Sequence, residues 1–278
     1  MNPILPLILF LSTILIVSCS MNKMVQTELE KILSEVEISD ARIIGEDDIE
    51  NLPQPVQNWL RKSGIIGKQE IRSGWLRQVA KLKMKPKQER WLNAEAEQYF
   101  TTQKPAFIWT VKLKMSPFIG IRGRDKFTEG KGEMLIRMNS LINVVNERGE
   151  KLDEATLQRY LGEIVWYPSA AMSEYIKWEE IDENIAKATI NFRGIQAEGV
   201  FYFNENGDFI KFSTMRYREN KPDSERYEWI ITANEYGELD GVRIPSRLEA
   251  TWRLDDSEWT WLKLEIVDMK YNVTNVRK

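Results

Sequence analysis

The sequence predicts an α+β chain built on one large, curved antiparallel β-sheet, with N-terminal helices and a central helical insert. Three observations predict it. Apolar residues recur every three or four positions up to about residue 64, and every second position from about Ile71 onward. A helix-period stretch near the middle, 154–166, interrupts the two-residue pattern. The strand-like runs alternate apolar with charged or polar residues, so each buries one face and wets the other, which is the antiparallel habit.

Residues 3–17 (PILPLILFLSTILIV) carry no charge and lead into Ser18-Cys19-Ser20. A short apolar core closing on a small residue has the pattern of a secretory signal. Ile16-Val17-Ser18-Cys19 resembles the bacterial lipobox. That resemblance implies a lipoprotein signal peptide over 1–18, lipidation of Cys19 and a membrane-anchored protein of the cell envelope, on its periplasmic or extracellular side. Each buried methylene of an acyl chain contributes about 0.8 kcal/mol, so two or more chains anchor stably. No Lys or Arg precedes Cys19, and the first basic residue is Lys23. The alternatives are a cleaved, soluble protein or an uncleaved membrane helix, since 3–19 reaches the lower end of the ~17–25 residues that span a bilayer.

Residues 19–45 form a tether with an amphipathic helix, in which Val25, Leu29, Ile32 and Val36 make one stripe over 22–37. Such a helix serves as a spacer from the membrane, as a partner helix, or as a helix packed on the domain. The remaining chain, 46–278, reads as a single domain without repeats, low-complexity tracts or linkers. A second helix is expected over Pro53–Lys62, with prolines in its first turn and Gly64 to end it.

The clearest strands are 107–115 and 242–254. Phe107, Trp109, Val111, Leu113 and Met115 alternate with Ile108, Thr110, Lys112 and Lys114, and Trp252 lies on the apolar face of the second run. Further strands are expected near 71–84, 90–101, 133–145, 185–192, 197–204, 208–218, 225–235 and 258–271. Asn204–Asp208 (NENGD) is a hairpin turn. Asp153 is placed to cap the helical island, and Pro168 to stop it.

Composition excludes several chemistries. The 278 residues include no histidine and one cysteine, which removes Ser-His-Asp and Cys-His catalysis, histidine-ligated zinc and any intrachain disulfide. The formal net charge of −3 gives no pull toward nucleic acid. No cofactor motif is present, and the chain is expected not to be an enzyme. Glu163, one turn after Arg159 and close to Trp166 and Tyr167, is either a general acid with a raised pKa or half of a surface i,i+4 ion pair. No second acid can be assigned to it from sequence.

Residues 116–132 (SPFIGIRGRDKFTEGKG) read as a glycine-rich loop in which Arg122 and Arg124 either grip an anion or simply belong to a wide, solvated hairpin. The ten tryptophans either line a cavity in the concave face of the sheet or fill a packed core. The cavity reading selects Phe107, Trp109, Trp166 and Trp252 as its lining, with Arg122 and Arg124 meeting an anionic head group at the mouth. It implies a lipid or other apolar ligand held without covalent bonds. The alternative is a structural or protein-interaction lipoprotein with a filled core.

Several strings in order resemble an uncharacterised bacterial group, domain-of-unknown-function family 6544: Leu52-Pro53-Gln54-Pro55-Val56, Pro105–Trp109 (PAFIW), Gly123–Phe127 (GRDKF), Arg159–Pro168 (RYLGEIVWYP) and Gly241–Pro245 (GVRIP). The family brings no catalytic residues with it. In element order and aromatic content the chain also looks like the lipoprotein-carrier (LolA/LolB-like) half-barrel, which implies a curved sheet wrapping helices and sheltering lipid.

Overall fold

The computed structural model describes residues 21–139, 142–255 and 257–277. The expected signal peptide and Cys19 lie outside the described residues. Two helices precede the sheet: α1, residues 21–34, and α2, Gln54–Ser63. α2 opens after Pro53 and closes on Gly64, whose φ of +71° gives the left-handed end expected of glycine.

The strands are β1 Ser73–Leu82, β2 Leu92–Thr101, β3 Ala106–Ser116, β4 Ile119–Thr128, β5 Lys131–Met138 and β6 Ile142–Arg148, followed by the insert α3, Glu150–Glu163. Two short 3-10 turns, Ile164–Trp166 and Pro168–Met172, lead into β7 Ile176–Asp182, β8 Ile185–Phe192, β9 Ile195–Phe203, β10 Phe209–Tyr217, β11 Arg226–Leu239, β12 Val242–Leu254 and β13 Ser257–Tyr271. All thirteen form one sheet in the order β6-β5-β4-β3-β2-β1-β13-β12-β11-β10-β9-β8-β7. Every neighbour is antiparallel.

Two meanders are thus joined where the first strand pairs with the last, and α3 carries the chain from one sheet edge, β6, to the other, β7. α3 touches β4, β5 and β6 as well as β8, β9 and β10. One helix reaches strands so far apart in the order only if the sheet curls around it. The sheet is therefore a half-barrel with α3 in its concave face, in agreement with the expected α+β class.

Gly132 shows why the insert sits so close. A Cβ there would lie 2.4 Å from the Thr156 hydroxyl, and the Gly132 N–H donates to Asp153 Oδ1 at 2.7 Å. Asp153 is consequently not the helix cap expected from sequence. α3 begins three residues earlier, at Glu150, and the buried Asp153 ties its first turn to β5.

α1 lies on the outer, convex face. Leu29 and Leu33 pack on Trp75, Tyr99 and Ile108, with Val25, Ile32, Val273 and Val276 around them. The C-terminal residues share this patch. The Arg277 N–H donates to the Tyr99 hydroxyl at 2.9 Å, and its guanidinium stands 4.2 Å over the Trp75 ring. Of the three roles left open for the amphipathic helix, the packed one is observed.

Two strand expectations are corrected. The 116–132 segment is a strand, β4, between two tight turns, with Glu129 (φ 51°) and Gly130 (φ 76°) forming the second. The single strand expected at 133–145 is two, β5 and β6, and β7 was not expected at all.

Candidate functional site

Between α3 and the concave face of the sheet is a cavity of about 660 Å³. Trp109 on β3, Trp166 after α3 and Trp252 on β12 line it, and Trp229, Trp259 and Trp261 join them. Trp229 and Trp252 face each other across the β11–β12 pair, and Trp252 and Trp259 across β12–β13. Trp261 is the extra residue of a β-bulge, because Ala250 pairs with Leu262 and Thr251 with Thr260. The mouth is formed by Lys83–Pro86 after β1, by Arg218–Lys221 after β10 and by Lys151 of α3. Lys151 Nζ donates to the carbonyls of Lys221 and Pro222, both at 2.7 Å, which pins that loop to the helix.

Phe107 is corrected from a lining to a core residue. It is fully buried and does not reach the cavity, while the Arg159 guanidinium stacks 4.8 Å above its ring. Arg122 and Arg124 are corrected as well. Residues of β4 alternate in direction, so Ile121, Gly123 and Asp125 face the cavity and Arg122, Arg124 and Lys126 face α1. Arg124 is only 3% exposed and is held by Glu133 at 2.9 Å, with Glu28 of α1 at 3.6 Å. Arg122 donates to Asn22 of α1 at 3.0 Å. Neither arginine stands at the cavity mouth.

The cavity contains other charges, which sequence reasoning did not assign to it. Arg159 of α3 donates to Asp125 at 3.0 Å, to Glu163 at 2.7 Å and to Gln98 at 3.1 Å, and Gln98 donates back to Glu163 at 2.7 Å. Glu163 thus belongs to a buried network, not to a surface pair, and Asp125 is the second acid beside it. Burial pushes Asp125 above the usual carboxylate range against the pull of Arg159, Arg216 and Arg124. Burial alone would lower Arg159, but the charges of Glu163 and Asp125 outweigh it and raise its pKa. The guanidinium lies between the two acids, donates to both and orients them, which is the geometry of a buried clamp.

Arg216, on the inward face of β10 after Phe212 and Thr214, differs from Arg159. Its Nε donates to the Ala155 carbonyl at 3.1 Å, and its guanidinium lies 4.4 Å from the Trp229 ring centre and 5.7 Å from that of Trp252. It forms no ion pair among the described residues. Burial, followed by repulsion from Arg159, pushes its pKa down to about 10. Parity along β10 was the available signal for this residue.

These features define an antiparallel half-barrel with a tryptophan-lined cavity between sheet and insert. The model of a family of unknown function (DUF6544) matches residues 42–264, and the chain belongs to that family. Comparison with curated proteins finds no match. Among solved structures the chain is similar to a DUF1329 family protein from Desulfovibrio piger, with 9% identity, a TM-score of 0.43 and coverage of 79% of this chain and 92% of that one. It is also similar to a LolA superfamily protein from Nitrosomonas europaea, with 14% identity, a TM-score of 0.40 and coverage of 77% and 92%.

Proposed function

We propose that this chain is a non-enzymatic, membrane-anchored envelope lipoprotein that binds an apolar or amphiphilic ligand non-covalently between α3 and the sheet. The observation that carries the reading is the cavity itself. Its volume falls within the ~300–1,000 Å³ common for small-molecule sites, and its walls combine aromatic and aliphatic side chains with charged residues at the mouth and around Arg159 and Arg216. The lipobox-like tetrad ending at Cys19 supports the anchor. Among the described residues no helix is long and apolar enough to cross a membrane.

Native mass spectrometry of the protein purified without detergent tests the binding. A reproducible lipid-mass adduct is expected, weakened in Trp252→Phe, which preserves an aromatic ring in the wall. A bare mass unmoved by added lipid, or an unfolded Trp252 variant with no separate ligand defect, would favour the filled core. Fractionation tests the anchor. Cys19→Ala is expected to leave the membrane fraction, and retention there would point to an uncleaved helix.

A further inference from the structure

Resting on the proposed cavity, the ligand's chemistry follows from the charges of its walls. Four buried side-chain donors find no acceptor among the described residues and also line this cavity: Gln78 Nε2, Trp229 Nε1, Trp259 Nε1 and Trp261 Nε1. Gln78 is 2% exposed and Trp229 4%. Because each of these atoms is covered by its neighbours, none faces the open volume, and the choice of ligand rests instead on the charges of the walls.

Arg216 adds the charge. Asp125 and Glu163 are clamped by Arg159, whereas the Arg216 guanidinium lies against two indole faces and makes no ion pair among the described residues, with Asp125 and Glu163 acting on it only through space. Around the mouth Lys83, Lys85, Lys151, Arg218 and Lys221 stand against Glu147, Glu219 and Glu249, so the approach favours anions. A guanidinium presents a planar fork of donors that fits a carboxylate or phosphate.

We propose that the cavity takes a single-chain amphiphile with an anionic head, a carboxylate or a phosphate monoester, whose charge pairs with Arg216 while its chain lies among the tryptophans. The single chain follows from the volume of about 660 Å³, which is that of a small-molecule site. The assignment moves the head group from Arg122 and Arg124, which the outer face occupies, to a residue inside the half-barrel.

Quenching of tryptophan fluorescence by brominated chains tests this on the purified protein. The probes are dibromostearate, its methyl ester and the monoalkyl phosphate of the same chain. Either acid is expected to quench at about ten-fold lower concentration than the ester, and which acid does so identifies the head. That preference should fall to near one in Arg216→Gln and persist in Arg216→Lys and in the outer-face variant Arg122→Gln. Equal quenching by acids and ester in the unsubstituted protein overturns the anionic head while leaving the cavity reading intact. A preference that survives Arg216→Gln overturns the role of Arg216. Absence of quenching by all three probes overturns both. The comparison of acids with ester stands even if Arg216→Gln fails to fold.

Discussion

At the residue scale, position along a strand decides what a charge does. Arg124 and Asp125 are sequence neighbours, yet one faces α1 and the other Arg159. The two carboxylates on these opposite faces, Glu133 and Asp125, respond to pH in opposite senses. Glu133 is pushed up by burial, but its hydrogen bond from Arg124 and the charges of Lys126 and Arg124 more than offset this and lower its pKa. It therefore contributes stability above its unfolded value of about 4.3, lost as pH falls through the lower folded value. Asp125 is raised, so its contribution grows as pH falls through its folded value toward its unfolded one. Glu133→Gln is expected to lose stability at pH 7 and to converge on the parent protein only as pH falls below the unfolded value of about 4.3 and through the lower folded one. Urea unfolding at several pH values measures this, and a gap that stays constant with pH would refute it.

At the element scale, legibility followed the faces. β3 and β12 show one apolar and one polar face, and both were readable. β4 was not, because its outward charges are covered by α1 and its inward face carries Gly123 and Asp125, so neither face is uniformly apolar. β7 is an edge strand with little of its surface buried, and its sequence IKWEEID gives a correspondingly weak signal. The same logic applies to the cavity. Trp109 and Trp252 were legible from alternation, whereas Arg216 occupies an inward position where apolar residues were expected. α1 contributes stability through packing. Leu29→Ala removes a contact with the Trp75, Tyr99 and Ile108 patch and is expected to cost about 2–5 kcal/mol, read as a lower midpoint of unfolding. An unchanged midpoint would mean that the helix adds little to the fold.

At the scale of the whole molecule, the sheet has two edges, β6 and β7, and a seam at β1–β13 where its two meanders meet. The seam lies in the middle of the strand order, and its inward side chains, including Leu76, Ile266 and Met269, are buried. Hydrogen exchange is expected to be slowest in β1, β2, β12 and β13 and fastest in β6 and β7. Faster exchange at the seam than at the edges would show that the two meanders open as separate units.

The placement of α1 and of the C-terminal residues over Trp75 has a practical side. The C-terminal end of the described chain leaves from the back of the sheet beside Leu29 and Leu33, while the start of α1 lies against Arg122 of β4. Whatever is joined to the C-terminal end, a tag, a fused domain or a surface, becomes a handle behind the molecule, and the opening between β1–β2 and β10–β11 stays clear for exchange with its surroundings.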